Sequence, residues 1–207
     1  MLKVLIDPNT FFSELSSEKI DIKLSIGIML VVAFGEVITT YVIFQRIKSL
    51  VTIDESYILA NFGIYIAGVL IFIIVLFIWI IISALFYLLT KVTESKGSFK
   101  RMLEFISYGF LPQILVAMVT LIIMVPALLI SQIHVVSREA FEQQLISNIS
   151  MTVLFSIELI FLIWSCYIWI FAVKHARMIS AFKAVCIVAI PLMIYVIYIA
   201  IRLSTYV

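Results

Sequence analysis

An all-α membrane protein, a five-transmembrane-helix bundle, is the fold class this sequence predicts, and two observations predict it. Hydrophobic residues make up 65% of the 207 residues, and the mean hydropathy is +1.26. They fall in long continuous runs parted by short polar loops, near residues 24–44, 62–89, 105–130, 149–173 and 184–201. About 20 apolar residues in a row cross the hydrocarbon core as a helix. The runs are continuous rather than alternating, which excludes barrel strands, and lipid obliges each segment to pair its own backbone groups. The chain divides into a cytoplasmic interfacial tail, 1–23, and a five-span membrane domain, 24–207.

Five spans and their loops leave no room for a soluble catalytic domain, and no enzymatic activity is expected. The net charge of +2 is too small to argue for nucleic acid. Cys166 and Cys186 both fall inside apolar runs, so they read as small hydrophobes rather than a disulfide framework. No HExxH, CxxC or Walker loop is present, and His134 and His175 are expected on opposite faces of the membrane; no metal or cofactor is expected. The first 23 residues are too polar for a cleavable leader, so the first span is expected to direct its own insertion. Lys and Arg set the orientation. One side carries ten: Lys3, Lys19 and Lys23, then Lys91, Lys96, Lys100 and Arg101, then Lys174, Arg177 and Lys183. The other carries four: Arg46, Lys48, Arg138 and Arg202. The N-terminus is therefore expected in the cytoplasm and the C-terminus outside or in a lumen.

Along the chain, Asp7 is a candidate cap and Pro8 suits a first helical position. Phe11, Phe12 and Leu15 then form an apolar face expected to lie against lipid headgroups. The first span carries Gly27, Gly35, Thr39 and Thr40, small residues that let backbones approach. The second is the longest; Gly63 and Ala67 in it make a small-xxx-small pair. In the second loop, Gly97 reads as a turn and Ser98 as an N-cap. Phe99, Met102, Leu103 and Ile106 recur at helical spacing, with Lys100, Arg101 and Glu104 between them, an amphipathic ramp along the cytoplasmic surface. Pro112 and Pro126 are expected to kink the third span. The third loop, from Ser131 to Asn148, is polar, and its Asn148-Ile149-Ser150 triplet reads as a chance glycosylation match. Trp164, Tyr167 and Trp169 close the fourth span as an aromatic belt, and the last span runs through Pro191.

Three segments carry a resemblance. They are Asp7-Pro8 with Phe11-Phe12 and Leu15; Lys96-Gly97-Ser98-Phe99-Lys100 followed by Tyr108-Gly109-Phe110-Leu111-Pro112; and Trp164, Lys174-His175, Ser180-Ala181-Phe182-Lys183-Ala184 and Pro191. Together, in order and over almost the whole chain, they resemble the Yip family, five-span membrane proteins named for interacting with Ypt/Rab GTPases. The resemblance implies an adaptor or organiser linked to membrane trafficking, with small GTPases or other membrane proteins as partners and a possible homo-oligomer. It implies the endoplasmic reticulum or Golgi for a eukaryotic chain and the plasma membrane for a prokaryotic one. Only about 23 residues precede lipid here, so the chain is similar to the short prokaryotic members rather than to those with a long cytosolic N-terminal domain.

Two constellations remain. Glu36 and Glu158 lie deep in spans, where an unpaired carboxylate costs several kcal/mol. Glu36 falls roughly 20 Å and Glu158 roughly 24 Å from the cytoplasmic boundary, so packed spans would let them meet. Such a pair would hold a proton or bind a cation, the mark of a small coupled transporter; the plainer alternative is two protonated acids bonded to Thr39, Thr40, Ser156 or Ser165. The other constellation is the basic set Lys96, Lys100, Arg101, Lys174, His175, Arg177 and Lys183. It sets topology, and it can also dock a partner or anionic lipid headgroups, at about 1 kcal/mol per cation.

Overall fold

The computed structural model describes residues 2–50, 57–93, 95–130 and 149–204, and among these every regular element is helical. In chain order they are α1 (Leu2–Ile6), α2 (Pro8–Ser17), α3 (Ile22–Leu50), α4 (Tyr57–Thr90), a 3-10 turn (Lys91–Thr93), α5 (Phe99–Tyr108), α6 (Leu111–Ile130), α7 (Ile149–Arg177) and α8 (Ala181–Ser204). The third loop, with His134, Arg138 and Asn148 of the glycosylation triplet, lies outside the described residues, as does the middle of the first outer loop.

Local chemistry sets the ends. Asp7 Oδ1 accepts the Thr10 amide at 3.1 Å, and Pro8 opens α2 where its missing N–H has no intrahelical role. Ser98 Oγ accepts the Arg101 amide at 3.3 Å and caps α5. α7 closes with the Ile179 amide bonded to the Lys174 carbonyl at 3.1 Å, the six-to-one bond of a Schellman turn. The residue that turns left-handed there is Met178, at φ 55°, rather than glycine.

Four helical stretches are long and apolar enough to cross a membrane: Ile22–Gln45, Gly63–Thr93, Phe99–Ile123 and Ser156–Arg177. A further apolar stretch, Ala181–Ile194, is shorter. The outward face of α4 is a row of large apolar side chains, among them Val69, Ile73, Phe77 and Ile81. A soluble protein rarely exposes such a surface.

The third stretch differs from the sequence expectation. A continuous span over 105–130 is expected, but Gly109 and Phe110 form a turn between α5 and α6. Pro112 is then the second residue of α6, where no preceding turn exists to lose a bond, so it starts that helix rather than kinking a longer one. Pro126 and Pro191 do lie inside helices.

The chain forms two compact units. The first comprises Met1–Ile26, Trp79–Gly109 and Ser165–Val207; the second comprises Gly27–Ile78 and Phe110–Trp164. In the first, α2 does not lie against headgroups by its phenylalanines. Phe12 is 0% exposed, its ring 4.9 Å from that of Phe105, and Phe11 meets Tyr108 edge-on at 5.1 Å. The ramp of α5 likewise turns inward, with Met102, Phe105 and Ile106 fully buried. Trp169 is not part of an aromatic belt. It is buried, and its indole N–H donates to the Ile106 carbonyl at 3.0 Å. A Cβ on Gly109 would run into that indole, so only glycine fits there. In the second unit α3 meets α4 through Phe34 and Phe72, ring centroids 5.1 Å apart, and through Gly68, which faces Val37. Among the described residues nothing approaches Gly63 closely.

Candidate docking site on the loops of the first unit

Arg177 organises the loops. It is 4% exposed, at the last position of α7. Its guanidinium donates to Thr90 Oγ1 at 2.9 Å, to Ser95 Oγ at 2.7 Å and to the Gly97 carbonyl. It also lies over the Tyr87 ring, 4.4 Å from the centroid. The planar fork satisfies several acceptors at once, which a lysine ammonium cannot do in that geometry. Gly97 adopts φ 109° and stands against the Ala176 carbonyl, so the turn needs glycine on both counts. This is why Gly97 and Ser98 lie beside the end of α7. Phe99 is half-buried, edge-on to Tyr87 at 5.5 Å.

Arg101 ties down the N-terminal segment. It donates to the backbone carbonyls of Leu15 and Glu18 and pairs with Glu104 Oε2 at 2.7 Å. Glu104 is 1% exposed; its other oxygen accepts the Asp21 amide at 2.8 Å. Ser25 Oγ donates to the Glu104 backbone carbonyl at 3.2 Å. Sequence reasoning placed Glu104 on the polar side of the ramp and gave it no role. The signal was its i,i+3 spacing from Arg101, a helical ion-pair spacing.

Lys174 and His175 meet α2. Lys174 Nζ donates to Asn9 Oδ1 at 2.8 Å, and His175 Nε2 lies 3.0 Å from the same oxygen. Asn9 is a site residue the sequence did not single out. Lys96, Lys100 and Lys183 are exposed. Between the elements lies a cavity of about 500 Å³, lined by Ser16, Ile20, Gly97, Ser98, Arg101, Lys174, His175, Ala176, Met178 and Ile179. Of the basic set, the structure thus brings Arg101, Lys174 and His175 to one cavity. It buries Arg177 beneath the adjoining turn and leaves Lys96, Lys100 and Lys183 on the surface.

Glu36 and Glu158 both belong to the second unit, Glu36 half-buried and Glu158 on the protein surface. Of the hydroxyls expected near them, Thr39 is bonded to the Gly35 carbonyl at 2.9 Å, and Ser165 lies in the first unit, buried without a hydrogen-bond partner for its hydroxyl. Cys166 is buried and Cys186 exposed, both as free thiols. Among the described residues no three His, Cys, Asp or Glu gather closely enough to hold a metal ion.

Long apolar helices with apolar outer faces define a helical membrane protein. The chain belongs to the Yip1 domain family, whose pattern matches residues 2–202. It is also 33% identical over 121 residues to an uncharacterized protein of Methanocaldococcus jannaschii, an alignment covering 58% of this chain and 85% of that protein. No solved structure matches it.

Proposed function

We propose that this protein is a multi-pass, non-enzymatic membrane adaptor of the Yip type that docks partners through the loops of its first unit. The observation that carries this reading is the convergence of Arg101, Lys174 and His175 on one cavity beside the buried Arg177 hub, on a unit whose loops also expose Lys96, Lys100 and Lys183. A face built this rigidly from loop residues presents charge in a fixed arrangement, as a docking site needs. The topology is five spans with the N-terminus in the cytoplasm. The ten-to-four distribution of Lys and Arg supports it, as does the length of α8, whose 24 residues reach roughly 36 Å. The partners are small GTPases or other membrane proteins, tied to membrane trafficking or organisation. The membrane is the plasma membrane in a prokaryote and that of the endoplasmic reticulum or Golgi in a eukaryote. Crosslinking in native membranes, followed by mass spectrometry, tests this. A GTPase or second membrane protein must be captured, and lost when Lys96, Lys100 and Lys183 become Ala; capture that survives those changes removes the loop face as the docking site.

One observation favours a second reading, a cation- or proton-coupled path: the two carboxyls within apolar helices, Glu36 and Glu158, belong to the same compact unit. Reconstituted in liposomes, the protein then carries a proton or cation flux that Glu36→Gln abolishes. Equal flux from that variant and from the unaltered protein, or no flux from the unaltered protein above that of protein-free liposomes, ends the idea.

A further inference from the structure

We propose that the 500 Å³ cavity of the first unit is a binding site for a phosphate ester, the headgroup of an anionic phospholipid. The proposal deepens the docking reading and rests on its placing this face at the cytoplasmic membrane surface.

The charge on the lining is one-sided. Arg101, Lys174 and His175 line the cavity with Ser16 and Ser98, and among the described residues no carboxylate lines it. Arg101 is neutralised by Glu104. Lys174 is not: its partner is the neutral amide of Asn9, and neither ion pair among the described residues uses it. An ammonium beside a concave wall with no nearby anion attracts one. The surroundings of Lys174 come from three elements. They are α2, which contributes Asn9; the Gly97–Ser98 turn; and its own helix end, which contributes His175 and Phe171, whose ring lies 5.7 Å away.

The size and the remaining walls narrow the class. The volume falls within the ~300–1,000 Å³ of small-molecule sites, ample for more than a bare phosphate. Ile20, Ala176, Met178 and Ile179 make one side apolar. A free inorganic anion gains nothing from that side, whereas the glycerol and first carbons of a lipid do. Met178 is the second, independent observation. It is 76% exposed and sits at φ 55°, a region a side chain enters at a cost of about 1 kcal/mol or more. Glycine would relieve that strain, so the turn gives up stability to keep a large, flexible apolar side chain at the mouth of a cationic cavity. A lipid partly drawn from the bilayer offers such a side chain a partner.

The test uses the full chain in detergent and native mass spectrometry with phosphatidic acid, phosphatidylglycerol or phosphatidylcholine. The unaltered protein is expected to retain the two acidic lipids over phosphatidylcholine. Lys174→Gln keeps an amide that can reach Asn9 but removes the charge, and is expected to lower retention about fivefold, the loss of one cation's contact with anionic lipid. Lys174→Arg restores retention, and Lys19→Gln, a surface change off the cavity, leaves it unchanged. A second arm adds glycerol 3-phosphate or inorganic phosphate and follows thermal unfolding. A Lys174-dependent shift with glycerol 3-phosphate, and no lipid preference, moves the source to a soluble phosphate ester and overturns the lipid assignment. Acidic-lipid retention equal in Lys174→Gln and the unaltered protein means annular lipid only and overturns the site. Partner capture by crosslinking is a separate readout, so the docking reading can fail while this one stands.

Discussion

The indole N–H of Trp169 donates to the carbonyl of Ile106, 63 residues earlier, across 3.0 Å. That carbonyl also accepts the Gly109 amide at 3.1 Å, so one oxygen both ends α5 and anchors α7. The two residues answer differently to substitution. Trp169→Phe keeps most of the ring and leaves the carbonyl one bond, at a cost of about 1 kcal/mol. Gly109→Ala forces a methyl group into the indole and costs about 1–3 kcal/mol through overpacking. Thermal unfolding in detergent must therefore rank Gly109→Ala as the more damaging; the reverse order means the indole yields easily.

Arg177→Lys keeps the charge and discards the fork. It leaves Ser95 Oγ, Thr90 Oγ1 and the Gly97 carbonyl competing for one ammonium. A loss of about 2–4 kcal/mol is expected, since hydrogen bonds to charged groups contribute about 1.5–3 kcal/mol each. Limited proteolysis near Gly97 must quicken in step with the fall in melting temperature. A protein that melts lower with its 95–98 segment still protected argues against Arg177 as the hub.

Arg101 and Glu104 act as a unit, so their effects are not additive. Glu104→Ala leaves a largely buried guanidinium without its anion, and Arg101→Ala leaves a buried carboxylate without its cation. The double substitution removes both penalties. Its destabilisation is expected to fall short of the sum of the single ones by about 0.5–3 kcal/mol. Strict additivity in a double-mutant cycle contradicts the coupling.

Asp7 gives the tail a response to acid. Hydrogen bonds from the Thr10 side chain and amide hold the Asp7 carboxyl below its ordinary value of 3.8. A carboxyl depressed by folding contributes fully above its unfolded value. That contribution is lost as pH falls through the lower folded value. The Thr10 amide shift, followed by nuclear magnetic resonance, should titrate below pH 3.8 in the native protein and lose that step in Asp7→Asn. An unchanged titration in the variant assigns the step elsewhere.

The capping residues were legible in the sequence because their chemistry is local. Asp7, Pro8 and Ser98 act on backbone groups within three or four residues, and the structure uses each as its type suggests. Gly97 was legible as a turn for the same reason. The inward faces of α2 and α5 were not. Lipid and protein interior are equally apolar, so periodicity identifies the face of Phe12, Met102 and Ile106 without saying which medium it meets. Trp169 suffers the same ambiguity, since an indole suits an interface and a buried carbonyl alike. The break at Gly109 and Phe110 hid because apolar residues continue on both sides of it. Asn9 drew no attention because its partners, Lys174 and His175, lie more than 160 residues away.

The N-terminal segment is fastened almost entirely by residues made long after it. Its anchors on Arg101 and Glu104 lie 79 to 86 residues downstream, and those of Asn9 lie 165 and 166 residues downstream. At roughly 5–20 residues per second, Phe11 and Phe12 are made roughly 5 to 20 seconds before the Phe105 and Tyr108 that cover them. During that interval the nascent tail has a sticky apolar face and no protein to bury it. The surface of the bilayer offers such a face an apolar shelter, and the protein's own shelter for it exists only once α5 is made.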